Sequence, residues 1–398
     1  MNFRRCLMMM VEPIERPRFD LAGVLGGGTG VDFERSLQVR AAHLREPRVI
    51  DAASCMWLLQ CSAEQWQPLP SDPQARADVL TLLELGLLVS DDPAHAQALA
   101  IEQQVRDSHW WPLSALHYQQ SCWDEVDSVQ DMEQHQLVTA RDLVRSYGSP
   151  PPEAPPRIHG ARALPCYEDD PMQPQLQARA TCRNFDTGRA LPLPLLARVL
   201  QQVLMAQAEV ETDPGVRFLK KNVPSAGSLH PLEAYLLVRN VEGMAPGLYH
   251  YHAVAHELGR LSAQPQDLES LCQRLLAGQH WFADAHVLLV LVCRFERNFW
   301  KYRNHAKAYR AVTLDAGHVS QALYASATAL GLGAFVTAAI NEAEAGRAFG
   351  LQPMAEGALA ICGLGWRSGT KTTAELDPDG HVWPRSDPRA GDADAAGP

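Results

Sequence analysis

The sequence predicts a mixed α and β protein: an α/β or α+β domain of roughly 200 residues in the C-terminal half, behind a smaller mixed region. Three observations point that way. Residues 148–157 hold five prolines in ten positions, which no helix or central strand tolerates, so this stretch is an extended spacer. Downstream of it, helix-spaced apolar residues alternate with short, wholly apolar runs. Upstream, the order is strand, helix, helix, strand, as in a winged helix.

The composition suits a folded chain. The 398 residues are 46% hydrophobic and 20% charged, which excludes a fully disordered or a collagen-like protein. A net charge of −11 speaks against general nucleic-acid binding without a local basic patch. The longest clean apolar run, Ala285 to Cys293, is too short for a bilayer, which takes about 20 residues. The first eleven residues resemble a signal peptide faintly, but the apolar stretch stops at Glu12-Pro13 without a cleavage site. They read as a strand, and the expected compartment is the cytoplasm. The nine cysteines include no C-x-x-C pair, so neither a zinc site nor a disulfide framework is expected.

Taken in order, residues 1–12 and about 36–50 read as strands. Asp51 is placed to cap a helix reaching Cys61. Asp72-Pro73 opens a second helix, with Ala75, Val79, Leu82 and Leu83 at helical spacing; Gly86 ends it and Leu87 to Val89 start a strand. Residues 100–145 read as helical, and their aromatics, Trp110, Trp111 and Trp123, as packing. Beyond the spacer, Leu196, Val199, Leu200, Val203 and Leu204 make one helix face. Ala234 to Val238 is a strand; His286 to Cys293 reads as one buried on both faces. A long helix covers about 306–331, and Ala334 to Ile340 and Ala358 to Cys362 are two more buried strands. The tail from about Asp387 is expected to be disordered.

Common chemical motifs are missing. Gly26-Gly27-Gly28-Thr29-Gly30 does not fit G-x-G-x-x-G, because position 31 is Val, and it reads as a loop. No P-loop, H-E-x-x-H or G-x-S-x-G occurs.

Four segments stand out. In Arg179-Ala-Thr-Cys-Arg-Asn-Phe185, alternate positions of an extended chain place Arg179, Thr181 and Arg183 on one side, suited to a phosphate; a solvated turn is the alternative. Pro224, Ser225, Ala226 and Gly227 are small residues in a turn, able to approach a flat ring or merely to close a tight loop. Lys301 and Tyr302 are adjacent beyond an apolar element, where a partly desolvated lysine can act as a base and a tyrosine can relay a proton; a snorkelling surface pair is the alternative. In Leu330 to Ala334, Gly331 fits a helix C-cap, which leaves Gly333 unexplained.

Together these segments resemble one family. Residues about 175–367 are similar to the SagB-type dehydrogenase branch of the FMN-dependent nitroreductase superfamily, on RATCRNFD, PSAGSLHPLEAYLLV, PGLYHY, WKYRNHAKAYRAVTLDAGHVSQAL and ALGLGA. The whole chain resembles the long form, the peptide maturation dehydrogenases. The resemblance implies an α+β fold with this layout: a winged-helix-like region over 1–147, able to bind a leader peptide or to act as a structural element; a linker over 148–157; a nitroreductase-like FMN domain over 158–386; and a tail over 387–398. It implies a homodimer with FMN at the interface. Arg179, Thr181 and Arg183 would hold the phosphate and ribityl chain, with the segment 363–367 and its Arg367 near the phosphate end. Pro224, Ser225, Ala226 and Gly227 would line the flavin, and Gly331, Leu332 and Gly333 would lie near its ring. Lys301 and Tyr302 stand where the azoline-oxidising members carry a catalytic pair.

The implied reaction oxidises an azoline in a modified precursor peptide to an azole. A hydride goes to flavin N5 and a proton to Lys301 or Tyr302. A cyclodehydratase is an expected partner; nucleic acid, membrane and metal are not. The alternatives are an NAD(P)H-dependent FMN reductase of a dehydroamino acid, nitro or quinone substrate, and a non-catalytic scaffold.

Overall fold

A computed structural model describes residues 1–153, 160, 162–167 and 170–383. The proline-rich spacer lies partly, and the expected tail from 387 wholly, outside the described residues.

In chain order the first elements are β1 (Asn2–Arg5), β2 (Met9–Phe19), α1 (Leu21–Leu25), β3 (Val31–Ala41), β4 (Arg48–Ile50), α2 (Ala52–Gln60), β5 (Gln67–Pro68), α3 (Pro73–Glu84), β6 (Leu88–Ser90), α4 (Ala96–Asp107) and α5 (Pro112–Ser121). Then come α6 (Ser128–Gln134), α7 (Ala140–Tyr147), α8 (Gln173–Gln177), α9 (Leu193–Val203), β7 (Ala206–Asp213), β8 (Val216–Lys221), β9 (Leu232–Val238), β10 (Gly247–His252) and β11 (Glu257–Arg260). The last are α10 (Leu268–Leu275), β12 (Val287–Arg294), α11 (Phe295–Phe299), α12 (Ala308–Ala329), β13 (Leu332–Thr337), α13 (Glu342–Phe349) and β14 (Glu356–Trp366).

The chain divides into two compact units. The first is Met1–Cys122 with Arg294–Arg310 and Gln352–Gly357; the second is Trp123–Cys293, Ala311–Leu351 and the chain from Ala358 onward.

In the first unit, Asp51 caps α2 by accepting from Ser54 N at 2.8 Å, and Asp72 caps α3 by accepting from Ala75 N at 2.8 Å. The buried face of α3 is Val79, Leu82 and Leu83. Strands β2 and β3 pair over eleven residues, from Met9↔Ala41 to Phe19↔Val31, in a sheet ordered β2-β3-β4. Pro13 and Pro17 are accommodated because β2 is an edge strand. A second sheet is ordered β5-β1-β6. The strand–helix–helix–strand order is present as β4, α2, α3 and β6. The structure sets no distinct winged-helix domain apart, since β6 pairs with β1 and the unit runs on through α5. Trp110 is fully buried; its ring meets Phe295 at 4.5 Å and Phe299 at 4.7 Å, and its Nε1 donates to Met354 O at 2.8 Å.

The second unit is built on a six-stranded sheet ordered β11-β10-β9-β12-β14-β13. Strand β12 is buried from Val287 to Cys293, which explains its unbroken apolar run. It pairs antiparallel with β9, Leu289 facing Leu236, and β13 pairs antiparallel with β14. Phe282 stacks on Phe335 at 3.9 Å within the core. Helix α9 buries Leu196, Val199, Leu200 and Val203, and α12 buries Val312, Ala316, Val319, Leu323 and Ala327. Each buried valine or leucine among them contributes about 1.5–3 kcal/mol. The α+β class is the one expected.

Among the described residues, no helix is long and apolar enough to cross a membrane, and no cluster of His, Cys, Asp and Glu could hold a metal. None of the nine cysteines is joined in a disulfide among the described residues.

Candidate functional site

Residues 179–185 run in extended form along the sheet edge. Thr181 bridges Ala334 of β13, Cys182 N donates to Ala334 O at 2.9 Å, and Phe185 bridges Arg367 just past β14. Gly333 now has its reason. A Cβ there would stand 2.4 Å from Cys182 Sγ and 2.7 Å from Cys182 Cβ, so a glycine lets the segment lie flat on β13. Cys182 is fully buried and its thiol is pushed up to about 12 by burial, which makes it an inert packing group. Gly331 carries φ +70° behind α12 with nothing near its Cβ position, and is a C-cap; Leu332 is buried at the start of β13.

The three expected anion ligands divide between two places. Arg179 lies over the Tyr324 ring at 5.4 Å, and Thr181 Oγ1 meets Tyr324 Oη at 3.0 Å. Burial of Tyr324 raises its phenol above the ordinary value. Arg183 turns toward the C-terminal segment: Nη1 donates to Ala374 O at 2.8 Å, the guanidinium lies 5.9 Å from the Trp281 ring, and Nε is buried without a partner.

Arg367 joins Arg183 through Glu375, whose side chain has no exposure. Glu375 accepts from Arg183 N at 2.6 Å, from Asn184 N at 3.0 Å, from Asn184 Nδ2 at 2.8 Å and from Trp383 Nε1 at 2.7 Å, and pairs with Arg367 Nη1. Arg367 Nη2 donates to Ala180 O at 3.2 Å. Sequence reasoning missed Glu375, because Arg183 and Asn184 lie about 190 positions away and no local pattern marks the pairing with Arg367 and Trp383.

The loop from Pro224 to His230 is a separate candidate segment of the second unit. Gly227, Ser228 and His230 have φ of 61°, 56° and 44°. Pro224 and Gly227 are exposed, and Ser225 and Ala226 half-buried. Ser225 Oγ donates to Asp315 Oδ2, and Ala226 N donates to Asp315 Oδ1 at 3.2 Å. Beneath the loop a small cavity is lined by Lys221, Ser225, His230 and Asp315 among others. Burial pushes Lys221 down to about 8, against the opposing pull of Glu233.

Lys301 and Tyr302 belong to the first unit, in the turn after α11, where both backbone amides donate to Asn298 O. Lys301 Nζ lies 5.5 Å from the Tyr302 ring centroid. Lys301 is exposed, so this chain alone does not supply the desolvation invoked for a lysine base.

The second-unit residues fit a phosphate-bearing flavin. Arg179 and Thr181 lie together at Tyr324, Arg183 on the same extended segment turns elsewhere but keeps a buried Nε without an acceptor, and the loop of small residues leaves Pro224 and Gly227 exposed. Residues 176–366 match the model of the nitroreductase family. A protein of Methanocaldococcus jannaschii, described as a nitroreductase, is 32% identical over 181 residues, covering 46% of this chain and 85% of that protein. The chain therefore belongs to the nitroreductase family, in which FMN binding is typical. The trifolitoxin-processing protein TfxB of Rhizobium leguminosarum bv. trifolii is 31% identical over 149 residues, 36% of this chain and 38% of that protein. Among solved structures, the Escherichia coli microcin synthetase McbBCD complex with truncated pro-MccB17 bound is matched at 19% identity and a TM-score of 0.49, over 67% of this chain and 94% of that one.

Proposed function

We propose that this chain is an FMN-dependent oxidoreductase that reduces an electrophilic group, such as a nitro, quinone or dehydroamino acid substrate, with electrons from NAD(P)H. The observation that carries the reading is the anion-suited edge of the second unit, where Arg179 and Thr181 meet at Tyr324 and Arg183 keeps a buried Nε without an acceptor. The match to 85% of the length of a nitroreductase supports reduction as the direction.

Bound FMN supplies two-electron hydride chemistry, and the protein supplies position and electrostatics. Arg179 would hold the phosphate dianion with Thr181 as a hydroxyl donor; Arg183 would join them by turning from Ala374 O, and Arg367, paired with Glu375, would stay behind that edge. Pro224, Ser225, Ala226 and Gly227 would pack against the flat ring, with Gly331, Leu332 and Gly333 lining it. Two copies would form the working body; Leu314, 59% exposed on α12 near the exposed Gly317 and His318, supports such an interface. The test is a spectrum of the purified protein, identification of the released chromophore, and anaerobic addition of NADPH. A flavin spectrum that bleaches with NADPH is expected. No FMN uptake would leave the scaffold reading, and FMN that NADPH does not reduce would refute the reductase. Arg183→Ala should weaken FMN retention, and a full flavin complement would contradict the phosphate assignment.

A second reading, oxidation of azolines in a precursor peptide, is favoured by two observations. One is the likeness to a trifolitoxin-processing protein over 38% of its length. The other is a groove of about 810 Å³ in the first unit, lined by Ile14, Leu37, Val49, Ile50 and Leu85 beside the edge strand β4, which suits an extended leader added as a strand. In that reading Lys301 or Tyr302 takes the ring proton, and a cyclodehydratase supplies the azoline. An azoline peptide turned over without NAD(P)H, with Lys301→Ala yellow but inactive, would select it over the reductase.

A further inference from the structure

The loop from Pro224 to His230 is held in a shape that its own residues resist. Ser228 and His230 both adopt left-handed backbones, which L side chains rarely take unless the surroundings over-determine them. One carboxylate is central to those surroundings. Asp315 is 5% exposed and sits on the buried stripe of α12, among Val312, Ala316 and Val319, where an apolar residue would pack. Both of its oxygens are used: Oδ2 accepts from Ser225 Oγ and Oδ1 from Ala226 N at 3.2 Å. Ser225 Oγ in turn accepts from His230 N at 3.0 Å, so a single chain of bonds ties the start of the loop to its end. Ser228 N closes on Ser225 O at 3.0 Å inside that frame. A carboxylate buried on an apolar stripe is unfavourable unless its partners need it there.

We infer that Asp315 is a positioning residue, which fixes residues 224–230 in the one backbone shape that presents Pro224 and Gly227 outward to the cofactor. The inference rests on the FMN reading and deepens it. Asp315 itself would touch neither cofactor nor substrate; it acts through Ser225 and Ala226. Being charged, it makes stronger bonds to a hydroxyl and an amide than a neutral acceptor would, and the bonds are shielded from water by Val319 and Leu232, which line the same cavity.

The test uses the full chain and two readouts: the FMN dissociation constant from flavin fluorescence, and hydrogen exchange of the amides of residues 225–230 without FMN. For Asp315→Ala we expect at least tenfold weaker FMN binding and at least tenfold faster exchange at Ala226 and His230, with near-UV circular dichroism retained. Asp315→Asn, which keeps an acceptor for Ala226 N and reaches Ser225, should recover much of the lost affinity. The Ser225→Ala, Asp315→Ala double variant should bind no more than threefold worse than Asp315→Ala, because both changes cut the same chain. Unchanged exchange in a folded Asp315→Ala variant overturns the clamp. Faster exchange with an unchanged FMN constant overturns the positioning role and leaves a purely structural one. Should Asp315→Ala fail to fold, Asp315→Asn and Ser225→Ala decide by the same two readouts. Wild-type protein that exchanges as expected but takes up no FMN sinks the functional reading instead, and the positioning role with it.

Discussion

Gly333→Ala places a methyl carbon 2.4 Å from Cys182 Sγ and 2.7 Å from its Cβ, well inside the 3.4 Å at which ordinary contact begins. Neither atom can step aside, because Cys182 is fully buried and its amide is bonded to Ala334 O at 2.9 Å. The overlap is relieved only by lifting residues 181–183 from β13. Overpacking of this kind costs about 1–3 kcal/mol. For a domain of this size each kcal/mol lowers Tm by about 2–4 °C, so a fall of roughly 2–12 °C is expected. The lifted segment carries Thr181 away from Tyr324, so FMN retention should fall as well. Gly350→Asn, at the C-cap of α13, is the control: nothing lies within 4 Å of its Cβ position, asparagine tolerates a φ of +68°, and the change should stay within about 0.5 kcal/mol. The assay is thermal unfolding followed by flavin content. A Gly333→Ala protein melting within about 1 °C of wild type would refute the packing argument.

Three further outcomes are expected. Lys221 titrates lower in the fold, at about 8, than in the unfolded chain, near 10.5; the unfolded state therefore binds more protons between these values, and stability gains on the order of 3 kcal/mol as pH rises across them. Lys221→Met should be as stable as wild type or more so at pH 7 by urea titration, and that advantage should shrink by pH 10; a constant difference would count against the assignment. Thr181→Val and Tyr324→Phe should each cost about 1 kcal/mol, and the double variant little more than either, since both remove one 3.0 Å hydrogen bond; full additivity would mean the bond does not exist in solution. Glu375→Ala should cost about 3 kcal/mol by leaving the half-buried Arg367 and the buried Asn184 without their acceptor, read by urea unfolding and by faster proteolysis after residue 367; unchanged values on both would show that the carboxylate holds nothing.

Much of the fold was legible where its signals are local. The unbroken run of β12, the helix stripes of α9 and α12, and the capping aspartates of α2 and α3 each lie within one element. The edge segment from Arg179 to Phe185 was legible as a unit, though not its division: the alternation rule places Arg183 with Arg179, while the structure turns it to Ala374. The hairpin of β7 and β8 was missed because β7 is exposed beyond Ala206 and β8 only partly buried, so its short alternation of Ala206, Ala208 and Val210 has no long apolar run to mark it. Strand β2 extends to Phe19, past the end read at residue 12, because Pro13 and Pro17 look like terminators unless the strand is known to be an edge. Asp315 did carry a signal, a carboxylate on an apolar helical stripe, but its partners are 90 positions away. Gly363 and Gly365, carried over as neighbours of the phosphate end, are accounted for by packing: their Cβ positions fall on the Phe335 ring and on His286 Nδ1.

The anchoring of Glu375 also separates two boundaries that are easily equated. Similarity to the family stops at Trp366, yet Arg183 N, Asn184 and Arg367 reach their acceptor only at Glu375, and Trp383 closes over it. A truncation drawn where the homology ends would therefore strip a buried acceptor from the start of the domain, leaving donors that water would have to enter to satisfy. For expression, tagging or domain exchange, a cut before Trp383 removes part of this anchor: the stretch that matches the family is shorter than the stretch these hydrogen bonds tie together.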